Sequence, residues 1–252
     1  MAKANVYLDL LNSKSLVIND FMIHDNKPHI INFSKTFSSP KLFDNISLLI
    51  EHQIHMKSQS QALVFDKICA TSISAIPYAT NIATSFEKPF CYIQNTGNDT
   101  QIKNNIKNIQ IEGGLNIDDK ILLIETICNN DYYIENIIER ITKYGGIVVG
   151  IIIILDVCEG EYVKLLHNKL NIINVLNLYD ICNHLENNNL IELFYAEKIK
   201  FYCEKTMKAS IRKLLEDDEP KPTSDIATGD AIATGDAIAT GDAIATGDAI
   251  AK

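Results

Sequence analysis

The run IVVGIIIILDV, residues 147–157, constrains this chain more than any other segment. Up to Asp156 it is aliphatic apart from one glycine, and most of it is β-branched. β-Branched side chains have few rotamers in a helix and pack well on a pleated surface, so the run reads as a strand. It is too short to cross a bilayer as a helix. A strand that is apolar without alternation needs cover on both faces, and a parallel sheet between layers of helices provides that.

The rest of the body has a matching rhythm. QALVFDKIC (61–69), KPFCYIQ (88–94), KILLIE (120–125), IVVGIIIILD (147–156) and INVLNL (173–178) read as strands. AIPYATNIATSF (75–86), DYYIENIIERITKYGG (131–146) and EYVKLLHNKL (161–170) have helical spacing, and two more helices start from Tyr179 and from Leu190. The 131–146 helix puts Ile134, Ile137, Ile138 and Ile141 on one face and stops at Gly145–Gly146. IKNIQIEGG (106–114) alternates apolar with polar residues and reads as a short antiparallel return. Strand–helix alternation of this kind predicts an α/β fold with a mainly parallel central sheet.

In such sheets ligands gather where strands end and helices begin. That selects the loops after Cys69, after Gln94 and after Glu125. The last lies in LLIETICNNDYY (122–133), where a buried strand meets an acid and then two asparagines, an aspartate and two tyrosines. A loop built for phosphate offers glycine, serine or threonine and no negative charge. Asp131 is therefore out of place in a phosphate loop.

Charge and cysteine usage narrow the function classes. The formal net charge is −9, which gives no electrostatic help toward nucleic acid or an anionic membrane, so neither is expected as a partner. The six cysteines are scattered through mostly apolar runs without a CxxC pair, as in proteins of a reducing compartment, and the cytoplasm is the expected location. His52 and His55 share a helix face, with Glu51 beside them but no cysteine nearby in sequence. They read as surface histidines, and no metal site is expected. The N-terminus lacks the long apolar core of a signal peptide.

After Leu215 the composition changes. EDDEPKPTSD (216–225) is a charged, proline-containing linker, and AIATGD then repeats to the C-terminus. One large apolar residue in six cannot offset the entropy of ordering the chain, so 216–252 is expected to be an acidic linker and disordered repeat tail beside a body of 1–215. The tail from Asp225 has five aspartates and Lys252, leaving −5 on residues 1–224.

The order of segments resembles the orotate phosphoribosyltransferase family over roughly residues 16–205. INDFMIHDNKPHIINFSKTFSSPKLF (18–43) is similar to that family's N-terminal strands and Pro-Arg-Leu helix start. FDKICATSISAIPYAT (65–80) resembles its pyrophosphate loop and following helix. IQIEGGLNIDDKILLIET (109–126) resembles its Glu-Gly return strand and the strand leading to the phosphoribosyl-diphosphate motif, and IIILDVCEGE (152–161) its Leu-Asp-Arg strand end. The resemblance implies a type I phosphoribosyltransferase fold with a small N-terminal hood. It also implies a dimer, either with itself or with an active relative. The family joins orotate to phosphoribosyl diphosphate with Mg2+, giving orotidine monophosphate and pyrophosphate.

Carried onto this chain residue by residue, the motifs are eroded. In the phosphoribosyl-diphosphate motif Glu125 matches the first acid, whereas Thr126 replaces the second. Asn129 and Asn130 replace hydroxyl residues, and Asp131 and Tyr132 stand where small residues let the backbone approach phosphate. The pyrophosphate loop keeps Thr71, Ser72 and Ser74. The cations of the mobile catalytic loop are replaced by Gln94, Asn95 and Asn98, with Lys103 and Lys107 nearby as possible substitutes. The orotate-side cations are replaced by His24 and Val157. Charge stabilisation dominates phosphate-leaving chemistry, and losing one donor costs roughly 3 kcal/mol. The expectation is a pseudoenzyme or non-catalytic subunit; the alternative is a functional orotate phosphoribosyltransferase with atypical site residues, using Mg2+.

Overall fold

The computed structural model describes residues 2–18, 23–24, 27–28, 32–60, 62–95, 109–127, 131–158 and 170–217. The described residues belong to one compact unit, Met1–Asp218. The helix expected at 161–170, all but its last residue, and the repeat tail lie outside the described residues.

The main sheet has six strands in the order β5-β4-β3-β6-β7-β8, where β3 is Lys67–Ala70, β4 Phe90–Asn95, β5 Ile109–Glu112, β6 Lys120–Ile127, β7 Ile147–Asp156 and β8 Asn171–Asn177. Every pairing is parallel except β4 with β5, the antiparallel return. Two two-residue strands, β1 (Ile23–His24) and β2 (Lys27–Pro28), pair separately. The helices are α1 (Ala2–Asn12), α2 (Pro40–Gln59), α3 (Ile76–Ser85), α4 (Asp131–Lys143), α5 (Leu178–Asn187) and α6 (Leu193–Asp217).

The unbroken apolar strands are explained by what covers them. Leu122 and Ile124 of β6 and Ile152 and Ile154 of β7 join one core with residues of α1, α2, α3, α5 and α6. Their neighbours Ile121, Leu123, Ile151 and Ile153 face the opposite core, built on Ile134, Ile137 and Ile141 of α4. Alternation is absent because both faces are inside. No helix among the described residues is long and apolar enough to cross a membrane.

Local chemistry sets the element ends. The hydroxyl of Ser39 accepts from the Leu42 N–H, and Pro40 opens α2. The Asn177 side chain accepts from the N–H groups of Tyr179 and Asp180 to start α5. Gly145, at φ +87°, ends α4: its N–H reaches Thr142 O while the Gly146 N–H reaches Ile141 O, the paired bonds of a Schellman cap.

Some expected boundaries move. The strand expected over 61–69 begins only at Lys67, because β6 offers paired positions from Lys120 onward. Leu63 and Phe65 are buried, with Val64 between them exposed, so the alternation there reflects packing rather than a ladder. The helix α6 runs to Asp217, two residues beyond the expected end of the body. The helix α1 was not anticipated; its Val6, Tyr7 and Leu10 are core residues. His52 and His55 are exposed on α2, and His55 lies 4.8 Å from the Phe86 ring between centroids.

Candidate functional site

Because β3 and β6 are parallel neighbours, with Ala70 paired to Ile124, their C-terminal ends open side by side. The turn 71–75 after β3 and the last residues of β6 therefore meet, although about 50 residues separate them. Glu125 is at the centre, almost fully buried. Its Oε2 accepts from Thr71 Oγ1 at 2.7 Å. Its Oε1 accepts from Ser72 Oγ at 2.6 Å, from the Thr126 N–H at 2.6 Å and from Thr126 Oγ1 at 3.1 Å. Ser74 Oγ lies 2.8 Å from Thr126 Oγ1 and 3.2 Å from Ser72 Oγ. Thr71 Oγ1 is also 3.0 Å from Ile124 O, and the Thr71 N–H donates to the same carbonyl.

A cavity of about 470 Å³ opens over this cluster, lined by Asn32, Phe33, Ser34, Ser72, Ser74, Glu125, Thr126 and Ile127. That volume suits a small molecule. Asn32 caps the short 3-10 helix Phe33–Ser38, its Oδ1 accepting from the Ser34 N–H. Phe33 is buried, edge-on to Tyr78, and the Tyr78 hydroxyl is 2.7 Å from Thr36 Oγ1. Tyr133 of α4 donates to Thr71 O at 2.7 Å and so ties the turn to the helix after β6. Burial, with the Glu125 charge adding, pushes the Tyr133 phenol up to about 12.

The structure thus brings together Thr71, Ser72, Ser74, Glu125 and Thr126. It places other predicted residues differently. Gln94 and Asn95 are not in a loop: β4 extends through them, paired with Gln110 and Ile109 of β5. The ladder captures them because β5 returns antiparallel alongside. Val157 is buried in the larger core rather than lining the cavity. His24 stands in β1, and Asp131 and Tyr132 form the first residues of α4, their side chains outside the description. Asn98, Lys103, Lys107, Asn129 and Asn130 lie outside the described residues.

Sequence reasoning missed Asn32, Phe33, Ser34, Tyr133 and the network at the end of β7. There Asp156 accepts from the Cys158 N–H at 2.8 Å and from the side-chain amides of Asn174 and Asn177 at 3.1 and 3.2 Å. The only sequence signal for that network was the recurrence of asparagine in the neighbouring strand.

No lysine or arginine lines the cavity among the described residues. The residues present do not fit a magnesium ion either. Both Glu125 oxygens already accept bonds from the chain itself, and the neighbouring position is the neutral Thr126. Among the described residues no group of three His, Cys, Asp or Glu is placed to hold a metal.

No family model matches the chain. It is similar to the orotate phosphoribosyltransferases of Sulfolobus acidocaldarius, 24% identical over 205 residues covering 80% of this chain and 97% of that protein. With that of Sulfurisphaera tokodaii it is 26% identical over 204 residues, covering 79% and 97%. Among solved structures, UMP synthase of Leishmania donovani superposes with a TM-score of 0.63 at 17% identity, over 81% of this chain and 43% of the longer synthase. Orotate phosphoribosyltransferase from Aeropyrum pernix superposes with a TM-score of 0.58 at 17% identity, over 74% and 99%. The sheet order, the position of the cavity at the strand ends and these similarities agree: the chain has the type I phosphoribosyltransferase fold and is a distant relative of the orotate phosphoribosyltransferases.

Proposed function

We propose that this protein is a non-catalytic member of its family, a binding or regulatory subunit that does not turn over phosphoribosyl diphosphate. The observation that carries the reading is the state of Glu125. An acid meant to hold a substrate's hydroxyls keeps acceptor positions open toward the cavity. Here the carboxylate is desolvated and accepts from Thr71, Ser72 and two groups of Thr126, so it clamps two strand ends together. Three of these bonds fall on Oε1, where a ligand hydroxyl has to displace a charge-assisted bond stronger than a neutral hydrogen bond.

Electrostatics points the same way. A doubly phosphorylated sugar brings several negative charges to a cavity whose described lining holds one carboxylate and no cation. Two like charges about 4 Å apart repel by roughly 4 kcal/mol at a partly buried site. Asp131, at the start of α4, adds a second acid where a phosphate loop needs bare N–H groups. Such a subunit acts through association, with a second copy or with a catalytically competent relative.

Calorimetric titration of the full chain with Mg2+ and phosphoribosyl diphosphate tests this. The expected result is no heat of binding at micromolar ligand and no orotate-dependent release of pyrophosphate. Turnover that disappears in Glu125→Ala while Lys103→Ala and Lys107→Ala also lower it establishes the alternative, an orotate phosphoribosyltransferase with atypical residues.

A further inference from the structure

The hollow between the end of α1 and the short helix leading into α2 holds charges of both signs that the fold does not pair with each other. Asp9 lies in the last turn of α1, a turn with no basic residue. The carbonyl end of a helix is its negative end, so an acid is poorly placed there. Asp9 Oδ2 is nevertheless buried, and it has no hydrogen-bond partner. A buried acceptor left without a donor carries its full desolvation cost. A cavity of about 510 Å³ opens here, and its lining includes Asp9, Lys14, Lys35, Ser38 and Ser39. Lys14 and Lys35 are exposed, and among the described residues no ion pair joins either to Asp9.

These groups select a ligand by charge. A plain anion meets the unpaired carboxylate, and a plain amine meets two ammonium groups. A molecule carrying both signs satisfies all three. One ammonium group answers Asp9; because a carboxylate spreads its charge over both oxygens, an ammonium on the cavity side neutralises the whole group. Two acid groups answer Lys14 and Lys35. With two lysines against one aspartate, the lining has a formal excess of one positive charge. Its complement carries one net negative charge, the pattern of a dicarboxylic amino acid. The Ser39 hydroxyl accepts from the Leu42 N–H as the cap of α2, so its own proton is left to donate to such an acid. The cavity is large enough for one molecule of this size.

We propose that the cavity between α1 and the start of α2 binds a small zwitterion with one ammonium and two acid groups, a dicarboxylic amino acid, its ammonium at Asp9 and its carboxylates at Lys14 and Lys35. The cavity shares no lining residue with the one over Glu125, so its occupancy is independent of the non-catalytic reading. The 3-10 helix Phe33–Ser38 borders both: Phe33 and Ser34 line the Glu125 cavity, Lys35 and Ser38 the second one.

The test uses the full chain and three probes: L-glutamate, glutarate, which lacks the ammonium group, and 4-aminobutyrate, which lacks one carboxylate. Binding is followed by calorimetry and ligand-observed NMR. L-Glutamate is expected to bind about fivefold more tightly than either of the others, as one partly exposed ion pair supplies. Asp9→Asn is expected to bring L-glutamate and glutarate to equal affinity. Its melting temperature should be no lower than the parent's, because the acid it removes has no partner. Lys35→Gln, an exposed change, is expected to weaken L-glutamate several-fold and to keep its lead over glutarate. Glutarate or 4-aminobutyrate binding as tightly as L-glutamate overturns the proposal, as does absence of L-glutamate binding at millimolar concentration. A lead over glutarate that survives Asp9→Asn overturns the placement of the ammonium. A lower melting temperature for Asp9→Asn contradicts an unpaired acid and overturns the proposal likewise.

Discussion

Ser72 and Glu125, 53 positions apart in the chain, share a hydrogen bond of 2.6 Å that closes the turn after β3 onto the end of β6. The bond makes the acid part of the fold's closure. Its removal is thus a stability experiment as much as a binding one.

Replacing Glu125 by Gln keeps the shape but turns one acceptor oxygen into a donor facing donors. One or more buried hydroxyls then lose their partner, at about 1–3 kcal/mol. Glu125→Gln is expected to unfold at lower urea concentration with an unchanged m-value. An unaltered midpoint contradicts the clamp.

Tyr133 and Tyr78 both have phenols pushed up to about 12, in each case chiefly by burial. In the unfolded chain a tyrosine ionises near pH 10. Below that pH both states are protonated and the contribution to stability is complete. Between about pH 10 and 12 only the unfolded state ionises, so stability falls as pH rises. Tyr133→Phe is expected to show a shallower alkaline loss in thermal scans. It should also lose about 1 kcal/mol at neutral pH with the bond to Thr71 O.

At the other end of β3, buried Lys67 pairs with Asp119 at 3.0 Å and donates to Gly114 O at 2.8 Å. The Asp119 carboxyl is held below its usual value, first by the Asn116 N–H and then by Lys67. A depressed carboxyl contributes stability above its unfolded value, near pH 4, and loses that contribution as pH falls through the folded value. Asp119→Asn is expected to be less stable at pH 7 by about 3 kcal/mol, since it strands a buried ammonium. Its further loss between pH 5 and 3 should be smaller than in the parent, as followed by circular dichroism.

Gly113 and Gly114 are adjacent, and both have positive φ. A Cβ on Gly113 meets Phe90 O at 2.6 Å, whereas one on Gly114 meets nothing within 4 Å. Gly114→Ala should cost only the left-handed backbone penalty of about 1–2 kcal/mol. Gly113→Ala should cost clearly more, because the β4–β5 return has to open. Equal melting temperatures for the two variants contradict this placement.

Much of the architecture was legible without coordinates. The β-branched run at 147–156 became β7 with those limits, and the Gly145–Gly146 stop ended α4. Both are local properties: side-chain branching and the freedom of glycine at positive φ act within a few residues. The pairing of Thr71 and Ser72 with Glu125 was foreseen only as two loops of one site, through resemblance.

The tertiary structure alone decided which way the polar groups point. Sequence shows that Glu125, Thr126, Ser72 and Ser74 are present, but a hydroxyl next to an acid in the chain can face a ligand or the protein. The parallel register of β3 against β6 sets that choice, because it brings Thr71 and Ser72 within bonding distance of the carboxylate. Tertiary packing also buries Val157 in the larger core, and the antiparallel β4–β5 pairing draws Gln94 and Asn95 into a ladder. Periodicity and glycine fixed the layers and their ends; the meeting of distant strand ends fixed the chemistry, since hydrogen bonds depend on distances that no local pattern encodes.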